Sequence, residues 1–245
     1  MLGPLISRPE DVAAALEEDP VDFAKAADEI LEGADPLTVL GWAARAFGRS
    51  FAVTAAMGDT VVAHLASRAA PGVDVLFVDT GYHFVETIGT VDAVRWTYPV
   101  RMLSITPKES KQDHEALRGE LWRTDPDACC ALRKVAPLEN ALRGYRAWAT
   151  GLRRDESPTR AETPTVSWDA RRGLLKLAPI ANWTDDDVER HAASHPDLIS
   201  NPLIMMGYRS VGCAPCTRAV APGEDARAGR WAGRAKTECG IHYSI

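Results

Sequence analysis

The stretch SFAVTAAMGDTVVAHLASRAAPGVDVLFVDT, residues 50–80, decides the fold class. Each end is an apolar run of strand length, and the middle part, which follows Gly58, carries apolar residues at helical spacing. A strand, a helix and a second strand in this order predict two parallel strands joined by a crossover helix. The sequence therefore predicts an α/β fold with a mostly parallel, twisted sheet and helices on both of its faces.

The same alternation continues along the chain. Three stretches with helical spacing precede residue 50, and a helix, a strand, a second helix carrying a double cysteine and a further strand follow residue 80. Residues 152–173 are polar, rich in arginine and interrupted by proline, which predicts a loop. A short strand over 174–180 and a helix over 184–195 follow, with Thr184 as the predicted N-cap residue.

Composition excludes several classes of protein. The chain has 245 residues, a net charge of −6 and an apolar fraction of 46%, typical of globular proteins. It has neither an apolar run of bilayer length nor a basic and apolar leader, so we expect a cytoplasmic protein with no membrane partner. Residues 205–245 carry six basic and three acidic side chains. This local excess favours a small anionic ligand over nucleic acid, although a solvated surface explains it equally well.

Four of the five cysteines form two pairs, Cys129 with Cys130 and Cys213 with Cys216. Adjacent cysteines rarely bind one small ion, because successive side chains diverge. A cluster offers each thiolate its own iron, so the pattern favours a 4Fe-4S cluster over tetrahedral zinc. A redox disulfide at 213–216, or buried cysteines without a metal, are the alternatives.

Cys239 is left over, close to the end of the chain and three residues before His242. With Lys236 and His242 nearby, its thiolate is a candidate nucleophile on a mobile C-terminal tail. An unreactive tail cysteine is the alternative interpretation.

Ligands of open parallel sheets bind beyond the carboxyl ends of the strands. Two such ends are TAAMGDT, residues 54–60, which leads into a helix, and the turn formed by Asp79, Thr80 and Gly81. Guanidinium groups suit phosphate and sulfate oxygens, and Lys134 adds a cation beside the double cysteine. The remaining candidate substrate-binding residues are Gly151, Arg153, Arg154, Arg160, Arg227 and Arg230.

Taken together, these motifs resemble the sulfonucleotide reductases, specifically the iron–sulfur type that reduces adenosine 5′-phosphosulfate in sulfate assimilation. The resemblance covers the chain from about residue 50 to its end, through VDTGYHFVET, CCALRKVAPL, TGLRRDESPTR, GCAPCTRAV, GEDARAGRW and KTECGIH. It implies a fold similar to that of the adenine-nucleotide α-hydrolases. One departure is TAAMGDT, which stands where many members have a loop of the type SxSGAED, so phosphate binding would depend more on the arginines.

The resemblance implies a mechanism and its partners. Cys239 would attack the sulfur of adenosine 5′-phosphosulfate, release AMP and carry a thiosulfonate, from which thioredoxin or a similar dithiol would free sulfite. The cluster on the four paired cysteines would not carry the electrons, and Lys134 would help it to organise the site. The rival hypotheses are a reductase of the 3′-phosphorylated nucleotide, an ATP-pyrophosphatase-type sulfur transferase and a non-enzymatic iron–sulfur sensor.

We expect one α/β domain over 1–245. Within it, residues 1–48 would form a helical N-terminal cap, residues 49–195 the nucleotide-binding sheet core, and residues 196–245 the cluster-binding segment and catalytic tail. The sequence leaves the oligomeric state open, and a homo-oligomer is compatible with it.

Overall fold

The computed structural model describes residues 8–242. Its helices are α1 Pro9–Glu18, α2 Pro20–Leu31, α3 Pro36–Phe47, α4 Val61–Ala69, α5 Val85–Thr97, α6 Lys111–Arg118, α7 Leu121–Thr124, α8 Pro126–Cys130, α9 Ala136–Leu142, α10 Asp185–Ser194 and α11 Pro202–Met205. Its strands are β1 Phe51–Thr54, β2 Asp74–Val78, β3 Arg101–Ile105, β4 Ala147–Thr150, β5 Val166–Asp169 and β6 Leu174–Leu177.

The strands form one six-stranded sheet in the order β3-β2-β1-β4-β6-β5. Every neighbouring pair is parallel except β5 and β6, which are antiparallel at one edge. The predicted α/β fold with a mostly parallel sheet is therefore confirmed. Because β1 and β4 are paired at its centre, their carboxyl ends lie side by side.

Side chains alternate between the two faces of the sheet, as the period of a strand requires. In β1, Phe51 and Val53 pack into the larger core with helices α1–α5, whereas Ala52 faces a smaller core on the opposite side. In β4, Trp148 packs in that smaller core with Leu138 of α9. Helices thus cover both faces, and these strands are apolar almost throughout.

Capping side chains explain where several helices begin. Asp19 and Asp35 each precede a proline, and their carboxylates accept the N–H groups of the first turns of α2 and α3. The predicted N-cap of α10 is confirmed, because the Thr184 hydroxyl accepts the N–H of Asp187 at 3.2 Å. The Asp187 carboxylate accepts the N–H of Thr184 in return, at 2.9 Å.

The structure differs from the prediction in two places. The predicted loop over 152–173 contains β5, whose first N–H, that of Val166, donates to Asp28 of α2 at 2.8 Å. This partner is distant in sequence, so local composition could not reveal the strand. The predicted helix with the double cysteine has a π-helical turn, Ala131–Val135, between α8 and α9. Such turns occur often at functional sites.

The division of the chain into three parts stays a prediction. In the part of the chain that the structure describes, no helix combines the length and the apolar character that a membrane span needs.

Candidate active site

A cleft of about 510 Å3 opens at the carboxyl ends of β1, β2 and β4. Parallel α/β sheets bind their ligands at this edge. The walls include the loop after β1, the residues after β4, and two later segments around 209–212 and 223–231. Cys239, Ile241 and His242 line the same cleft. The fold thus brings the predicted nucleophile to the edge of the sheet where the nucleotide was expected.

The loop after β1 is strained and held from outside. Met57 and Thr60 adopt positive φ angles of 59° and 57°, a conformation that costs energy for any residue with a side chain. The Asn201 amide donates to the carbonyl of Met57 at 2.9 Å, and the Thr60 hydroxyl donates to the carbonyl of Ile199. The Asp59 carboxylate accepts the N–H of Val61 at 3.0 Å, so it already caps the start of α4. The structure therefore places this loop on the cleft but gives the first helical N–H an internal partner.

The environment of Cys239 favours its thiolate. Burial raises the pKa of the thiol, but the Lys134 ammonium, the N–H of Ile241 and the Arg230 guanidinium lower it, and the pKa ends below its ordinary value. Burial lowers the pKa of Lys134, yet the neighbouring Cys213 and Cys239 thiolates outweigh that effect and raise it. Lys134 and Cys239 both line the cleft, so the ammonium of one and the thiol of the other face the same space.

The residues after Cys239 pack inward. Ile241 contacts the smaller core, and Arg172 donates to its carbonyl at 3.0 Å. The His242 ring is parallel to that of Trp148, with centroids 5.9 Å apart. Burial, with Lys176 and Arg160 nearby, holds the pKa of His242 well below its usual range, so its imidazole is neutral at pH 7. Residues 243–245 lie outside the described part of the chain, and the mobility of the tail stays a prediction.

Two of the predicted arginines present free donors. Arg153 is buried and donates to Asp185 through Nη2 at 2.7 Å, while its Nε and Nη1 have no hydrogen-bond partner within residues 8–242. The Nε of Arg230 is also buried and unpartnered among those residues. Gly212 makes room for this guanidinium, because a Cβ there would lie 2.4 Å from an Arg230 nitrogen. Both side chains line the cleft and can still bind an anion.

The other three arginines are engaged with carboxylates. Arg154 does not line the cleft, because both Nη atoms pair with Glu32 of α2, at 2.7 and 2.8 Å. Arg160 pairs with Glu156 and Glu238, and Arg227 lies 3.4 Å from Glu238. Gly151 lines the cleft as predicted, whereas Arg154 is placed outside it.

The four paired cysteines line a second, smaller cavity with Tyr82, Trp122 and Trp231. Within residues 8–242, no three His, Cys, Asp or Glu side chains are grouped tightly enough to hold a single metal ion. Lys134 and Arg230 line both this cavity and the cleft. The cavity has the donor set of an iron–sulfur cluster, since four thiolates can each bind a separate iron.

The predicted turn at the end of β2 belongs to this cavity and not to the cleft. The Thr80 hydroxyl lies 3.2 Å from the Cys213 sulfur, and the carbonyl of Thr80 accepts from Arg133 at 2.6 Å. The Asp79 carboxylate accepts the N–H of Gly81 at 2.9 Å, which shapes the turn. The structure therefore places Thr80 in the wall of the cysteine cavity, whereas Asp79 and Gly81 shape the turn and line neither cavity. The sequence showed that they follow a strand, but it could not show which of them would line a cavity.

Without a bound metal, Cys129 and Cys130 of this cavity resist ionisation, because burial and the repulsion between thiolates disfavour the ionised form. Burial, followed by the charges of the other cavity thiolates, raises the pKa of Cys129 to about 12. Burial also raises the pKa of Cys130 to about 11. Four thiolates can therefore share this cavity only with a strongly positive group between them, which is the charge that bound iron supplies. The donor chemistry of the cavity thus fits a 4Fe-4S cluster.

Sequence reasoning missed several side chains that line the cleft. His83 donates from Nε2 to the carbonyl of Val78 at 2.9 Å, and burial, with Lys134 nearby, lowers its pKa to about 4. Glu156 and Glu238 reach the cleft through their contacts with Arg160. Glu238 directly precedes Cys239, which is the signal that could have identified it.

Residues 50–219 match the family described as the phosphoadenosine phosphosulfate reductase domain. The chain belongs to the phosphoadenosine phosphosulfate reductase family. The match covers β1 through the second cysteine pair, and so includes most of the cleft and all four cavity cysteines. Membership confirms the prediction of an oxidoreductase that acts on a sulfur group.

Members of this phosphoadenosine phosphosulfate reductase family are similar over nearly the whole chain. An adenosine 5′-phosphosulfate reductase of Streptomyces coelicolor is 60% identical over 90% of this chain and 93% of its own. One from Mycolicibacterium smegmatis is 48% identical over 96% of this chain and 99% of its own.

Solved structures agree on the fold. A phosphoadenylyl-sulfate reductase from Candida auris superposes with a TM-score of 0.69 at 27% identity, over 81% of this chain and 97% of its own. An FMN adenylyltransferase of Candida glabrata has a TM-score of 0.52 at 11% identity, over 86% of this chain and 74% of its own, which shows the shared fold alone.

Proposed function

We propose that this protein reduces adenosine 5′-phosphosulfate to sulfite and AMP in assimilatory sulfate reduction, with thioredoxin or a similar dithiol as the electron donor. The observation that carries the proposal is the position of Cys239. Its sulfur lies in the cleft at the carboxyl edge of the sheet, with Lys134 and Arg230 lowering its pKa. The relatives named adenosine 5′-phosphosulfate reductase support this substrate through their 48–60% identity.

The chemistry follows from the position of a thiolate beside cationic side chains that can bind an anion. The Cys239 thiolate attacks the sulfur of the phosphosulfate, a sulfur–sulfur bond forms, and the sulfur–oxygen bond breaks with its electron pair leaving on AMP. The free N–H donors of Arg153 and Arg230, with the Lys134 ammonium, bind the phosphosulfate oxygens and the charge on the leaving phosphate. His242 is neutral, so we give it a role in packing the tail beside Trp148 and not in carrying a positive charge.

The second half-reaction returns the enzyme to its thiol form. A thiol of the reductant attacks the Cys239 sulfur and expels sulfite, which leaves a mixed disulfide. The second thiol of the reductant then attacks that disulfide, so Cys239 is reduced and the reductant is oxidised. Each turnover consumes one dithiol and reduces one sulfur atom by two electrons.

We further propose that Cys129, Cys130, Cys213 and Cys216 hold a 4Fe-4S cluster. The cluster would supply a fixed charge on the far side of Lys134 and Arg230, the two cations that line both cavities. The chain's own residues do the chemistry: Lys134 binds the anion, Thr80 contacts the Cys213 sulfur, and Tyr82, Trp122 and Trp231 form the apolar wall.

Intact-mass measurement tests the function. Protein purified without oxygen is mixed with adenosine 5′-phosphosulfate in the absence of thioredoxin, and Cys239→Ser is the control. We expect an added mass of about 80 Da, one SO3 group, on the wild type and none on the variant. Absence of the adduct on wild-type protein that retains its iron would contradict the proposal.

Steady-state kinetics decide between the two nucleotides. The family is described by the 3′-phosphorylated substrate, whereas the relatives above at 48–60% identity are named for the unphosphorylated one. We expect kcat/KM with thioredoxin to be higher for adenosine 5′-phosphosulfate. A higher kcat/KM for the 3′-phosphorylated nucleotide would make the protein a reductase of that compound.

A further inference from the structure

Glu238, the residue before Cys239, contacts three polar side chains of the fold, those of Thr159, Arg160 and Arg227. Its two carboxylate oxygens accept from Nε and Nη2 of Arg160, each at 2.8 Å, which is a bidentate pair. The Thr159 hydroxyl donates to the same carboxylate at 3.3 Å. Arg227 lies 3.4 Å from it and also donates to the carbonyl of Thr237 at 2.8 Å. The tail is therefore attached by side chain and by backbone just before its cysteine.

Each of the three guanidinium nitrogens of Arg160 already donates to a carboxylate, so three of its five N–H groups are in use. Its remaining terminal nitrogen, Nη1, pairs with Glu156. Arg160 and Glu238 are only 11% and 14% exposed, so solvent and salt screen this pair weakly. Arg153 and Arg230, in contrast, keep buried N–H groups without partners in residues 8–242. Among the arginines of the cleft, Arg153 and Arg230 thus keep unpartnered donors, whereas Arg160 is already bound to the tail.

Fixing Glu238 also fixes Cys239, because consecutive Cα atoms are only about 3.8 Å apart. Downstream of the cysteine, Ile241 and His242 hold the tail through apolar and stacking contacts. The two attachments differ in kind, since the one at Glu238 depends on charge. Arg160 and Arg227 lower the pKa of Glu238 despite its burial, so the carboxylate is ionised at neutral pH.

We propose that Glu238 is a positioning residue that fastens the catalytic tail to Arg160 and Arg227 and so holds the Cys239 sulfur in the cleft. Arg160, which lines the cleft, is accordingly a tail-binding residue. When the pair separates, the tail is free to present Cys239 to a reductant. This inference rests on the proposed function for its biological meaning, but the attachment itself is measurable without any substrate.

The test is the rate at which a neutral alkylating reagent, iodoacetamide, modifies Cys239 in the full-length holoenzyme, followed by peptide mass spectrometry. Rates are compared on the alkaline plateau of the pH profile, where the thiol is fully ionised and only access limits the reaction. We expect Glu238→Gln to raise the plateau rate about tenfold, because a charge-assisted bidentate pair is lost. Arg160→Lys, which keeps both charges but cannot form the bidentate pair, should raise it similarly.

Glu156→Gln is the matched control, because Glu156 contacts the same guanidinium but does not belong to the tail. Its plateau rate should stay within about twofold of wild type, because Glu156→Gln leaves both hydrogen bonds between Arg160 and Glu238 in place. The double variant Glu238→Gln/Arg160→Lys should be no faster than Glu238→Gln alone, since that change already removes the carboxylate to which Arg160 is paired. Melting temperatures of all variants show whether a faster rate reflects global unfolding.

The outcomes separate this proposal from the proposed function. Equal plateau rates in wild type, Glu238→Gln and Arg160→Lys would overturn the attachment, as would additive effects in the double variant. In steady-state assays we expect Glu238→Gln to lower kcat and leave KM within about twofold, because the cationic groups that line the cleft are unchanged in this variant. A wild type without activity towards adenosine 5′-phosphosulfate would instead remove the proposed function and leave the alkylation result intact.

Discussion

The sheet and the C-terminal segment, residues 207–242, are held together by different forces. Strands β1, β2 and β4 are paired residue by residue and packed on both faces by buried apolar side chains. The described residues of the C-terminal segment contain no α-helix and no paired strand beyond two isolated bridges. Much of that segment is held by ion pairs and side-chain hydrogen bonds, including those of Glu238 and Arg218, and its last residues also by the apolar and stacking contacts of Ile241 and His242.

This difference teaches how the molecule separates stability from reactivity. Backbone ladders and apolar burial do not depend on a ligand, so the sheet can form first and present its carboxyl edge. Ion pairs can be exchanged for other charges, including those of a substrate or cofactor. The segment that carries Cys213, Cys216 and Cys239 is therefore the part whose arrangement should respond to charge.

The largest effect is expected from a substitution that disturbs the C-terminal segment and leaves the sheet intact. Cys216→Ala removes one thiolate from the cavity, so we expect loss of the cluster and a fall in kcat/KM of about 100-fold or more, since even outer-shell changes at metal sites cost 10- to 100-fold. Iron and sulfide per chain, with visible absorbance, measure the cluster. Far-UV circular dichroism should retain the signal of the sheet and its helices.

Cys239→Ser is the control for this variant, because Cys239 does not line the cysteine cavity. It should retain iron and sulfide while losing activity. Full iron content in Cys216→Ala would show that the cavity does not require all four thiolates.

A smaller effect is expected when two adjacent arginines, one inside the cleft and one outside it, are replaced in turn. Arg153→Ala removes a guanidinium with two unpartnered N–H groups that lines the cleft, and we expect KM to rise about 10- to 100-fold, the range for hydrogen bonds to charged groups. Arg154→Ala removes a partly exposed pair with Glu32, which should cost only about 0.2–1 kcal/mol of stability. Steady-state kinetics and thermal unfolding check both variants. Similar KM values for the two would contradict the assignment of Arg153 to the cleft.

The smallest expected effect concerns the protonation of two histidines in the helices that cover the sheet. His64 of α4 and His191 of α10 lie with ring nitrogens 3.0 Å apart. Burial lowers the pKa of His64, and burial with the neighbouring His195 and His64 lowers that of His191 to about 4. Both rings are neutral at pH 7 in the folded protein.

A histidine whose folded pKa is lowered contributes stability above its unfolded pKa of about 6.5, and this stability is lost as the pH falls towards the folded value. We therefore expect the melting temperature to fall between about pH 6.5 and 4, and to fall less steeply in His191→Gln. Glu189→Gln, an exposed change on the same helix, is the control. Identical pH profiles in wild type and His191→Gln would exclude this pair as the cause.

Much of the sheet could be predicted because its signals are local. Runs such as those around Val53 and Val75 are apolar over the length of a strand and are separated by helical spacing, which is sufficient for a parallel sheet. The edge strand β5 could not be predicted, because Val166 depends on Asp28 for its first hydrogen bond. The π-helical turn after Cys130 likewise has no local sequence signal.

Among the candidate site residues, the sequence determined the chemical types and the tertiary structure decided their roles. Four paired cysteines, a spare Cys239 and a surplus of arginines were evident from composition and spacing. Only the fold showed that Thr80 supports a cysteine, that Arg154 binds Glu32, and that Arg160 binds the tail. The physical reason is that a guanidinium or hydroxyl has the same chemistry everywhere, whereas its partner is set by long-range packing. Residue type is local information, and the pairing of buried charges is not.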